Sequence, residues 1–225
     1  MQTVYYSLMR NLLASLLWLV AALFAPAQKS PTPQPNSMRF SIVESHEGIT
    51  IGIDPWTQAS RYKEKFQKKS PLSGGVVALR VNFRNDSDES IKIGLQRVRL
   101  ILVLSEDNRQ ELAALSADEV ADTVMLKENG KDPTARRNPL PIPIGKPRPA
   151  RDANWTTFRD ACQNAGLPTS VVAAHSSVEG LVYFDLRGEV QLLQTARLYV
   201  PDLATIGSNR PLLYFDIDLG HGSSN

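Results

Sequence analysis

From Val77 to Phe83 every second residue is large and apolar: Val77, Leu79, Val81 and Phe83 alternate with Ala78, Arg80, Asn82 and Arg84. Successive side chains of a strand point to opposite faces, so this run predicts a strand with one face in a core and one face wet. The pattern returns near the C-terminus, where Leu213, Phe215, Ile217 and Leu219 alternate with Tyr214, Asp216 and Asp218. Between these two runs, apolar stretches at Ile91 to Leu95, Arg97 to Leu104, Ser170 to Ala174, Val178 to Leu186 and Ala196 to Val200 read as further strands. In the second of them Val98, Leu100, Leu102 and Leu104 share a side and Ile101 and Val103 occupy the other, which predicts a central strand covered on both faces. Upstream, Arg39 to Glu44 and Gly48 to Ile53 read as a hairpin around His46-Glu47-Gly48. Seven or more strands at this spacing predict a mainly β domain, an antiparallel β-sandwich.

Two stretches depart from that rhythm. Ala59 to Lys69 places Tyr62 and Phe66 four apart among Arg61, Lys63, Lys65, Lys68 and Lys69, the pattern of an amphipathic surface helix. Residues 116–168 form a helical and proline-rich insertion. Ser116 and Glu119 stand at capping-box spacing ahead of Val120, Val124 and Met125. Asp152 to Ala165 carries Trp155, Phe158 and Cys162 at helical spacing, with Gly166 and Pro168 as the stop. Between these helices, Lys131 to Arg151 holds Pro133, Pro139, Pro141, Pro143, Pro147 and Pro149 and reads as an exposed, extended loop.

The N-terminus sets an expected destination. Leu12 to Phe24 is almost wholly apolar, follows Arg10 and precedes Ala25-Pro26-Ala27. This is the order of a cleavable secretory signal, and the apolar core is shorter than the roughly 20 residues of a membrane span. The expected organisation is a signal peptide over residues 1–27, a Pro-rich leader over 28–37 and one domain over 38–225, with no stable span after cleavage. The expected location is periplasmic or extracellular. Cys162 is the only cysteine, so no internal disulfide can form, and its spacing behind Trp155 and Phe158 predicts burial.

The stretch from Gly75 to Leu104, through its phrase VVALRVNFRNDSDESIKIGLQRVRLILVL beginning at Val76, resembles the immunoglobulin-like accessory domains of secreted bacterial proteins of unknown function. Ser177 to Leu186 and the closing LLYFDIDL share the resemblance. It implies an immunoglobulin-like β-sandwich and no agreed catalytic set, and the cysteine pair of antibody-type domains is absent.

Composition and motifs exclude more than they assign. A formal charge of +2 supplies no global field for nucleic acid. No Gly-x-Ser-x-Gly, phosphate-binding glycine loop or zinc spacing occurs, so no cofactor or metal is expected. His46, His175 and His221 lie far apart, and Asp86, Asp88 and Glu89 read as a solvated turn. The local excess charge lies in two basic segments, Arg61 to Lys69 and Lys131 to Arg151. The second supplies the candidate partner-binding residues Arg136, Arg137, Leu140, Ile142, Ile144, Lys146 and Arg148, in which exposed apolar anchors stand among cations. The function expected from these features is an exported, non-catalytic binding or structural module of the cell envelope, with an envelope protein or an anionic glycan as partner. The alternatives are a hydrolase of cell-wall or extracellular polymer acting through Asp216, Asp218 or His175, and a periplasmic assembly chaperone that pairs a strand edge with its client.

Overall fold

A computed structural model describes residues 40–105, 107–128 and 151–220. The signal and leader expected over residues 1–37, His221, and the insertion segment 129–150 lie outside the described residues.

The hairpin forms as expected. β1 (Ile42–His46) and β2 (Ile49–Trp56) pair antiparallel around Glu47 and Gly48, both at positive φ (50° and 78°). Two such residues make the tight mirror-image turn whose twist matches that of the flanking strands. β3 (Val76–Asn85) lies beside β2, and β8 (Ser176–Asp185) lies on its other side in ten-residue register. Sheet 1 is therefore β1-β2-β3-β8. Pro55 causes no break in β2, because it lies beyond Ile53, the last residue paired with β1.

β4 (Ile91–Ile93) pairs with β10 (Leu203–Thr205) and β7 (Val171–Val172) in a small three-stranded sheet, sheet 2. Sheet 3 has the order β11-β9-β5-β6, formed by β5 (Arg99–Ser105), β6 (Asn108–Ala113), β9 (Ala196–Val200) and β11 (Phe215–Asp218). Every strand pair is antiparallel. The described protein is mainly β, built from several antiparallel sheets.

One core joins all three sheets. Ile49, Ile51, Ile53, Val77, Leu79, Val81 and Phe83 from sheet 1 meet Leu100, Leu102, Leu198, Val200, Phe215 and Ile217 from sheet 3, and Ile91, Ile93, Val172 and Leu203 enter from sheet 2. Each such side chain contributes roughly 1.5–3 kcal/mol by leaving water. The alternation from Val77 to Phe83 selects these inner residues correctly.

Several expectations are corrected. The outer face of β3 is dry over its first half: Val76 and Ala78 are buried, Arg80 is only 7% exposed, and only Asn82 and Arg84 reach water. β5 is central in sheet 3, yet Ile101 and Val103 are only half-buried, because among the described residues no further layer covers that face. Leu213 does not share the buried row of β11 and is 62% exposed, since regular pairing begins at Phe215. The amphipathic helix shrinks to one turn, α1 (Ala59–Tyr62), after which the Phe66 N–H donates to the Tyr62 carbonyl and the Phe66 ring is buried. Period-two reading also missed β6 and β10, which are too polar or too short to show alternation.

Candidate interaction surface

Two helices cover the outer face of sheet 1. α2 (Ala117–Glu128) starts on the expected capping box: the Ser116 amide donates to Glu119 Oε2 (2.8 Å) and the Glu119 amide to Ser116 Oγ (3.3 Å). α3 (Ala153–Ala165) starts at Asp152, whose carboxylate accepts from the Trp155 amide at 2.8 Å. Their buried stripes, Val120, Ala121 and Val124 against Trp155, Phe158, Cys162 and Ala165, close over Trp56, Tyr62, Phe66, Val76, Ala78, Leu181 and Tyr183. This second core explains why the far face of β3 is dry. The chain leaving α3 runs along the edge of β8, and a Cβ on Gly180, in the inner row opposite Val81, would lie 2.5 Å from backbone atoms of Gly166 and Leu167.

Both buried tyrosine hydroxyls in the layer are hydrogen-bonded, whereas the buried Trp56 Nε1 has no partner among the described residues. The Tyr62 hydroxyl donates to the Trp56 carbonyl (2.8 Å) and accepts from the Ala78 amide (2.9 Å), so it extends the β2–β3 ladder by one hydroxyl. The Tyr183 hydroxyl donates to the Cys162 carbonyl at 3.0 Å. Burial pushes the Tyr62 phenol and the Cys162 thiol each up to about 12, and raises the Tyr183 phenol further. Cys162 is fully buried, as its spacing predicts. On the same outer face Arg80 donates bidentately to Glu179 (2.7 and 2.9 Å), and its guanidinium lies 4.7 Å over the Phe40 ring.

A clasp ties the two helices together where the insertion segment leaves and returns. Asp122 accepts from Trp155 Nε1 (2.9 Å) and from Arg151 Nη2 (3.2 Å), while Arg151 lies 4.3 Å over the Trp155 ring. Arg159 lies 5.9 Å from the same ring. The basic segment after α1 reaches this layer too, with Lys69 Nζ 3.6 Å from Met125 Sδ on α2. The candidate binding residues Arg136, Arg137, Leu140, Ile142, Ile144, Lys146 and Arg148 belong to segment 129–150 and lie outside the described residues.

The histidine and acidic candidates sit elsewhere. Asn85 is fully buried. Its amide donates to the carbonyls of Glu89 (2.8 Å) and Ala173 (3.1 Å), and its oxygen accepts from the Ser87 amide (3.0 Å). The turn after β3 is thereby tied to the approach to β8. His175, at φ 52°, meets Asp88 at 2.9 Å, both largely in water. Glu89 is held below the usual carboxylate range, chiefly by the Ser208 hydroxyl and then by the Ser208 amide. Glu47 accepts from the Leu213 amide at 2.6 Å. His46 stacks on Phe215 with ring centroids 3.6 Å apart.

Asp216 is engaged by Arg197 at 2.7 Å, and Asp218 accepts from the Gly220 amide at 2.8 Å. The structure thus brings His175 to Asp88 and Asp216 to Arg197, and no described interaction joins the histidine to either aspartate. Among the described residues no three His, Cys, Asp or Glu side chains gather as metal ligands, and no helix is long and apolar enough to cross a membrane. The tertiary clasp at Asp122 had no signal in sequence, because its members are 29 and 33 residues apart.

No family model matches the chain, and no curated protein matches it. Among solved structures it is similar to a functionally unknown protein from Listeria monocytogenes EGD-e, at 14% identity and a TM-score of 0.33 over 71% of this chain and 70% of that one. A likeness of that size assigns neither a family nor an activity.

Proposed function

We propose that this protein is an exported, non-catalytic binding or structural module of the cell envelope. On this reading an immunoglobulin-like sandwich presents the segment between α2 and α3 to an envelope protein or an anionic glycan. The observation that supports the reading is the clasp: Asp122, Arg151 and Trp155 join the helix before the insertion segment to the helix after it, on a sheet-backed layer. A recognition segment held at both ends loses less freedom on binding than a free tail does. Lys69 beside Met125 places the first basic segment next to the helix that leads into the second, in keeping with one basic surface for an acidic partner. Residues 1–27 act as the export signal on the same reading. The exposed pairing of His175 with Asp88 and the engagement of Asp216 by Arg197 favour binding over the hydrolase alternative.

The test replaces residues 131–150 with a glycine-serine linker of equal length. Partners recovered from envelope extract by the intact protein are expected to be lost with the replacement, while the melting temperature stays within a few degrees. Unchanged recovery would overturn the reading.

A further inference from the structure

We propose that the outer face of sheet 3 along β9 and β11 docks a second copy of this chain, receiving the exposed lysines Lys63, Lys65 and Lys68 of that copy head to tail. Tyr214 is 55% exposed and lies against Tyr199, with ring centroids 5.5 Å apart. Strand register sets Tyr199 opposite Asp216 and Arg197 opposite Asp218. The aromatic pair and the carboxylates therefore form one contiguous patch. Asp216 pairs with Arg197 at 2.7 Å, and the charges of Asp218 and of Glu44 on β1 also act on that cation. The neighbouring Arg99 turns its guanidinium to the carbonyls of Gln96 and Val98. Carboxylates beside aromatic faces are the chemistry that holds ammonium groups.

The complementary surface is on the chain itself. Lys63, Lys65 and Lys68 are exposed around Tyr62 and Phe66, whose rings are buried in the layer over sheet 1. That layer and the outer face of sheet 3 lie on opposite sides of the shared core. One copy cannot bring its two surfaces together, and a two-fold pair would set like against like. The association is therefore heterologous and adds copies in a row. It does not rest on export.

The test is sedimentation velocity on the full-length protein over a concentration series, at about 20 mM and about 500 mM salt. The expected result is concentration-dependent growth at low salt that weakens at least about tenfold at high salt. A Lys63→Glu, Lys65→Glu, Lys68→Glu variant and a Glu44→Lys, Tyr214→Ser variant should each be monomeric, with circular dichroism confirming that both fold. Mixed together, they keep one good surface each and should form one-to-one dimers that grow no further. Monomeric wild type throughout the low-salt series, or growth that survives either variant, would overturn the proposal.

Discussion

The two four-stranded sheets contribute alike to the shared core and differ on their outer faces. Sheet 1 carries a second core there: aromatic residues from β2, the chain after α1 and α3 pack under a helix pair, with two hydroxyls and a thiol sealed inside. Among the described residues sheet 3 carries none, and Ile101, Val103 and Tyr199 are half-buried while Tyr214 is exposed. The difference lies in what the outward positions offer. Val76, Ala78, Leu181 and Tyr183 can pack against a helix, whereas Arg99, Arg197, Asp216 and Asp218 need water or one another. An outer face of a sheet becomes interior when its own residues and a covering element agree, and it stays a surface otherwise.

Substitution where the chain leaving α3 runs against β8 should have the largest effect on the covered side. Gly180→Ala places a methyl group against the backbone at the end of α3, and a loss of about 4 kcal/mol by urea unfolding is expected. A variant as stable as the parent would show that the chain leaving α3 does not run against β8 as described.

Alkaline pH should weaken the covered side next. The Cys162 thiol, the Tyr62 phenol and the Tyr183 phenol all have folded pKa values above their unfolded ones. Their contribution is fully present below about pH 9 and is lost as pH rises toward 12, because the unfolded chain releases these protons first. Stability should fall by about 3 kcal/mol between about pH 8 and about pH 10.5. Cys162→Ala should remove the earliest part of that fall. A flat profile to pH 10.5 would place these groups in water.

Tyr62→Phe keeps the ring and deletes the hydroxyl that joins Trp56 to Ala78. The expected cost is about 2 kcal/mol, with faster hydrogen exchange at the Ala78 amide. The smallest effect should come from the bare face, where Ile101→Thr on sheet 3 should cost less than about 1 kcal/mol by the same urea assay. A cost like that of Gly180→Ala would mean that something covers sheet 3 after all.

Much of the strand content is legible from alternation alone, because a strand facing a core repeats every two residues whatever packs against it. The inner row from Val77 to Phe83 and the strand Ala196 to Val200 are found this way. The helix starts are equally local: Ser116 with Glu119, and Asp152 with Trp155, lie within one turn of each other. Alternation misjudges the outward row of β3, since Ala78 and Arg80 look wet until the covering layer is known. It misjudges Leu213 for the opposite reason, because the row is apolar but the strand has not yet begun. Asn85 is legible as a turn residue, whereas its bond to Ala173 joins positions 88 residues apart.

What the sequence determined by itself is local and periodic: most of the strands, where two helices start, and that the lone thiol is buried. The tertiary structure alone decided which outward faces are dry, how Asp122 clasps Arg151 and Trp155, and that Tyr62 completes a sheet ladder. Those outcomes depend on groups far apart in the chain. Burial and hydrogen bonding act through distance in space, which no window of neighbouring residues contains.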